Sequence, residues 1–145
     1  MKLDLQSTYD IIIAPAKVKL AGQFKALSDW QWTFMGIDPC LREVLIKELG
    51  AENRHHYGNE LQEISIENKN LFLNWIADIG EKQRRPIWWA TNMAYKNPLT
   101  SDFFLHFCQL FLIKKWIDEG VKKLIIIVEN PWLIKACSCN FSKKN

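Results

Sequence analysis

The sequence predicts an α/β fold with an open, mainly parallel sheet and flanking helices, on three observations. Leu124 to Val128 is an unbroken apolar run between Lys122-Lys123 and Glu129, the pattern of a central parallel strand covered on both faces. Short β-branched or aromatic runs alternate along the chain with segments whose apolar residues recur at helical spacing, which is the grammar of βαβ units. Helix start and stop residues also stand where that alternation needs them, with Asp38-Pro39 before one helix, Gly50 after it, and Pro131 just past Glu129-Asn130.

Each element follows from its residues. Tyr9 to Ala14 is β-branched and runs into Pro15, which predicts a short buried strand. Lys17 to Asp29 carries Val18, Leu20, Phe24 and Leu27 near one face and predicts a helix. Trp30 to Met35 alternates sides and is closed by Gly36, predicting a second strand. Asp38 then caps a helix whose apolar face is Leu41, Val44, Leu45 and Leu49. Ala51 to Gly58 is polar and reads as a loop. Asn59 opens a long helix to about Lys82, with Leu61, Ile64, Phe72, Trp75 and Ile79 inward and Glu60, Glu63, Glu67 and Lys69 in water. Ile87 to Thr91 reads as a strand, followed by the polar turn Asn97 to Ser101. A helix from Ser101 or Asp102 to Glu119 stops at Gly120, and the central strand comes next. Pro131 opens a last helix through Trp132, Leu133 and Ile134, after which Cys137 to Asn145 is a polar stretch without periodicity. The expected organisation is one Rossmann-like domain over residues 1–136 and a polar tail over 137–145. Ligands of such sheets bind outside the carboxyl ends of the strands.

Composition bounds the function. At 145 residues and 48% hydrophobic, the chain is long enough to bury a full core without a metal or disulfide staple. A net charge of +3 is too mild for a dedicated nucleic-acid binder. The longest apolar stretch, Phe103 to Ile113, is interrupted by His106 and Gln109 and falls short of a membrane span. The start of the chain holds Asp4 and no long apolar region, so no secretory leader is expected and the scattered cysteines read as reduced thiols. Seven Trp, eight Phe and three Tyr are an unusual aromatic load, enough to fill a core and still line a groove or interface.

The chemistry-bearing residues are few. The six glycines are isolated, so no phosphate-binding glycine loop occurs, and neither a nucleophile elbow nor a zinc-protease motif is present. His55-His56 lacks a further ligand at metal-site spacing, His106 sits on an apolar helix, and Cys137-Ser-Cys139 alone is a weak signal, so no metal is expected. The best candidates end strands. Thr91, Asn92, Tyr95, Lys96 and Asn97 follow one strand and Glu129, Asn130 and Trp132 follow another, and adjacent parallel strands would bring both sets to one rim. Capping and turn formation are the competing role, above all for Asn97-Pro98 and Asn130-Pro131.

The stretch Trp88-Trp-Ala-Thr-Asn-Met-Ala-Tyr-Lys-Asn-Pro-Leu-Thr-Ser101, the aromatic helix after it and Ile127-Val-Glu-Asn-Pro-Trp-Leu133 resemble the amino-terminal region of bacterial surface carbohydrate biosynthesis proteins, over Pro86 to Lys135. These are glycosyltransferase-like proteins of lipopolysaccharide or capsule loci. The resemblance implies the amino-terminal, acceptor-side half of a two-domain GT-B-type protein, with a sugar or glycolipid acceptor as its ligand. It implies a cytoplasmic location, free or peripheral at the inner membrane. The nucleotide-sugar donor would need a second domain or partner chain, so no cofactor is expected here and transferase activity is expected only when that half is supplied.

On this reading Trp89 and Trp132 could stack on a sugar ring, Thr91, Asn97 and Asn130 bind its hydroxyls, and Glu129 accepts hydroxyl hydrogens or acts as general base. The alternative is a small non-enzymatic module that binds a partner protein or self-associates through an exposed sheet edge.

Overall fold

Leu124–Val128 forms the middle strand of a three-stranded parallel sheet, and all five of its residues are buried. The computed structural model of the chain describes residues 11–16, 29–83 and 102–141, the side chains of Asn140 and Phe141 excepted. In chain order these hold β1 (Ile11–Pro15), β2 (Gln31–Met35), α1 (Pro39–Leu49), α2 (Gly58–Gln83), α3 (Phe103–Asp118), β3 (Leu124–Val128) and α4 (Pro131–Phe141). The sheet order is β1-β3-β2. Ile11 and Gln31 flank Leu124 from opposite sides, and the registers run in step to Pro15, Val128 and Met35. This is the α/β fold with an open parallel sheet. The strand Ile87 to Thr91 and the helix Lys17 to Asp29 fall, but for Asp29, outside the described residues.

The chain divides into two compact units, residues 1–57 with 115–145 and residues 58–114. In the first, Asp38 begins α1 as its residue type requires: Oδ1 accepts from Cys40 N at 2.8 Å and Leu41 N at 3.3 Å. Gly50 ends the helix with φ +84°, a backbone region costly for residues with a Cβ. Leu45 is buried with Trp32, Phe34, Ala14, Ile125 and Ile127, and Leu41, Ile46 and Leu49 pack around them. Val44 is instead 48% exposed. The inward stripe is centred between Leu45 and Leu49, which leaves Val44 to one side and brings in Ile46.

Two further differences follow from context. Within the polar stretch after α1, Arg54 forms a parallel bridge with Trp32 at the outer edge of β2. There Trp32 N donates to Asn53 O at 3.0 Å and His55 N to Trp32 O at 2.8 Å. Nothing in Asn53-Arg54-His55 alternates, so pattern gives no strand signal. At the other end of the chain α4 continues through Cys137, which is buried, to Phe141, into the stretch expected to be a polar tail from Cys137.

In the second unit, Ile64, Phe72, Ile76 and Gly80 are the buried residues of α2. Trp75 precedes Ile76 by one residue, hence about 100° round the helix, and is 40% exposed rather than inward. Its ring stacks at 5.8 Å on Phe103 and 6.2 Å on Phe107. Phe103, Phe104 and Phe107, in the first part of α3, pack with Phe72 and Ile76. No helix among the described residues is long and apolar enough to cross a membrane.

Thr33, in the middle of β2, is fully buried, and its Oγ1 has no hydrogen-bond partner among the described residues. Thr33→Val keeps the shape and removes that hydroxyl. It is expected to raise stability by about 1 kcal/mol, read as a higher urea midpoint at unchanged slope. A lower midpoint would show that the hydroxyl is satisfied.

Candidate functional site, the carboxyl rim of β2 and β3

The chain leaves β2 and β3 in opposite lateral directions. After β2 it enters α1 and returns at Asn53–His55 on the far edge of β2, whereas after β3 it enters α4, which packs on β1 and β3. Buried Leu133 and Cys137 of α4 lie outside the cluster that α1 closes. The carboxyl ends of β2 and β3 therefore form a topological switch point, where open α/β sheets leave a crevice for ligands.

Gly36, Ile37 and Asp38 stand at this point on the β2 side, and Glu129, Asn130, Pro131 and Trp132 on the β3 side. Glu129 reaches across: its Oε2 accepts from Ile37 N at 2.9 Å and from Asp38 N at 3.3 Å. Gly36 makes that approach possible, since a Cβ there would collide with Glu129 Oε2 and with the Phe34 ring. Glu129 thus ties the β2–α1 turn to the end of β3, and its Oε1 has no partner among the described residues. Asn130 caps α4 by accepting from Trp132 N at Oδ1, 2.9 Å. Trp132 is 72% exposed, with Lys135 Nζ 5.6 Å from its ring centre.

Trp89, Thr91 and Asn97 lie outside the described residues. Among the described residues, β1 and β2 flank β3. Sequence reasoning missed the other half of the rim, Gly36 to Asp38. The signal was a lone glycine directly after a strand, the usual mark of a close approach.

The remaining candidates have packing roles. His55 and Tyr57 set their rings edge-on to Trp116 at 5.3 and 6.4 Å, and Tyr57 Oη donates to Phe34 O at 3.2 Å. His106 Nδ1 lies 3.0 Å from Oε1 of the buried Gln109. Cys137 is buried and Cys139 exposed, so the two thiols point to different environments. No group of three or more His, Cys, Asp or Glu suited to a metal ion occurs among the described residues.

Burial pushes the thiols of Cys108 and Cys137 up from 9.0 to about 11, away from nucleophilic chemistry at neutral pH. Unfolded thiols ionise near 9.0 while the folded ones keep their protons, so stability contributed by the neutral thiols is lost as pH rises from 9.0 toward 11. Urea midpoints measured across that window should fall, and fall less steeply in the Cys108→Ala/Cys137→Ala protein.

No protein-family model matches the chain, and no curated protein or solved structure matches it.

Proposed function

We propose that the carboxyl rim binds a saccharide acceptor, and that the chain is the acceptor-side domain of a bacterial surface-polysaccharide protein of the GT-B type. The observation that carries this reading is Trp132. It stands in the first turn of α4, 72% exposed, at the switch point of an open parallel sheet. A flat indole in water is a ready platform for the C–H face of a sugar ring, and Lys135 against the ring restrains it. Glu129 Oε1 and Asn130 supply hydrogen-bonding groups on the same rim, and Trp89, Thr91 and Asn97 are the further binding residues proposed. Donor chemistry belongs to a second domain or chain, in a protein held in the cytoplasm or at the inner membrane surface.

The test is a titration of the nitrogen-15-labelled chain with neutral oligosaccharides, following the indole N–H of Trp132. A saturable shift is expected there and at the backbone amides of Ile37, Asp38 and Asn130, and the amide shifts should report an affinity about tenfold lower in Trp132→Ala, equal to about 1.4 kcal/mol. Stability should hardly change, because the ring is exposed. A Trp132 signal unmoved by every glycan would refute the proposal.

One observation favours the second reading, a protein-interaction module: Ile37, 67% exposed, adds an apolar side chain to the same rim. Self-association in size exclusion, relieved by Ile37→Ser, would support it.

A further inference from the structure

We infer that the ligand taken at this rim donates hydroxyl groups to it and carries no phosphate where it meets β2 and β3. This rests on the saccharide reading above and narrows its substrate class. In open α/β sheets, phosphates sit on backbone N–H groups at the start of the helix that follows a strand. Two such helix starts stand here, and the chain's own oxygens occupy both.

At α1, Ile37 N and Asp38 N donate to Glu129 Oε2. Cys40 N and Leu41 N donate to Asp38 Oδ1, and Arg42 N to Asp38 O at 3.1 Å. At α4, Trp132 N donates to Asn130 Oδ1 and Leu133 N to Asn130 O at 3.1 Å. Pro39 and Pro131 have no N–H to offer. The Glu129 carboxylate also lies too close to Gly36 for an added Cβ, so no phosphate oxygen fits between them. An arriving phosphate would meet filled amides and the carboxylates of Glu129 and Asp38, an unfavourable like-charge approach.

The rim therefore offers acceptors more than donors. Glu129 Oε1 and Asp38 Oδ2 have no partners among the described residues. Ionised carboxylates only accept hydrogen bonds, so they select ligands that donate them. A polyhydroxyl ring with one apolar face has the chemistry to meet both demands, hydroxyl donors for the carboxylate oxygens and a C–H face for the Trp132 indole.

Amide spectra of the full chain test this with inorganic phosphate and a neutral oligosaccharide as separate probes. In the wild-type protein, phosphate is expected to leave the Ile37, Asp38, Cys40 and Leu41 amides unmoved while the oligosaccharide shifts the Trp132 indole. In Glu129→Ala the vacated Ile37 and Asp38 amides should shift saturably with phosphate, whereas Glu129→Gln, which still presents an oxygen to them, should not respond. Saturable phosphate shifts at those amides in the wild type would overturn the inference while leaving saccharide binding intact. So would a folded Glu129→Ala protein blind to phosphate. A Trp132 signal that ignores the oligosaccharide overturns the saccharide reading itself, and this inference with it.

Discussion

Trp32→Ala is expected to destabilise the protein by about 4 kcal/mol, the range for emptying a buried tryptophan site. Trp32 is 2% exposed and lies in the cluster that joins all three strands to α1. Its Nε1 donates to Gly50 O at 2.8 Å, which fixes the end of α1 against the sheet. The Arg54 guanidinium lies 5.9 Å from the ring centre, and the Trp32 backbone holds Asn53 and His55. Removal of the side chain leaves a cavity, an orphaned carbonyl and an uncovered guanidinium together. Against a total stability of about 5–15 kcal/mol this is a large share. With a urea slope of about 2 kcal/mol/M, the midpoint should drop by about 2 M. Trp32→Phe keeps most of the ring and loses the bond to Gly50, so it should cost about 1–2 kcal/mol. An alanine variant within about 1 kcal/mol of wild type would show that the site collapses freely.

Gly36→Ala is expected to cost about 2 kcal/mol, although it adds one methyl group at a sheet end. The new Cβ would meet the Phe34 ring and Glu129 Oε2. Phe34 is buried in the core cluster and cannot swing away. Glu129 is exposed and can, but its departure strips Ile37 N and Asp38 N of their acceptor. The two sites are therefore coupled. Gly36→Ala should cost less in a Glu129→Ala background, with an interaction of at least about 0.5 kcal/mol in a double-mutant cycle. Strict additivity would mean that Glu129 does not fasten this turn.

The elements easiest to predict were those whose residues carry their own reason. Leu124–Val128 needs no partner to be read as a central strand, and Asp38-Pro39 with Gly50 brackets α1 within a residue. What pattern missed depends on neighbours distant in sequence. Arg54 is strand-like only because the outer edge of Trp32 accepts it. Trp75 lies half outside because Ile76, one residue on, points inward. At the rim, Glu129 and Trp132 stood out as a carboxylate and an indole at a strand end. The role of Glu129 as acceptor for Ile37 and Asp38 was illegible, because it joins residues about 90 positions apart through backbone groups common to every sequence.

The central place of β3 also governs synthesis. Ile11–Pro15 and Gln31–Met35 make their sheet hydrogen bonds to Leu124–Val128, which is translated after both. At usual elongation rates β1 emerges on the order of ten seconds before the strand it pairs with. Throughout that interval the Ile11-Ile12-Ile13-Ala14 run lacks its native partner, an adhesive segment on a nascent chain. Slowing translation between β1 and β3 should therefore lower the yield of native protein and raise its dependence on ribosome-associated chaperones, whereas the same delay placed after β3 should cost little.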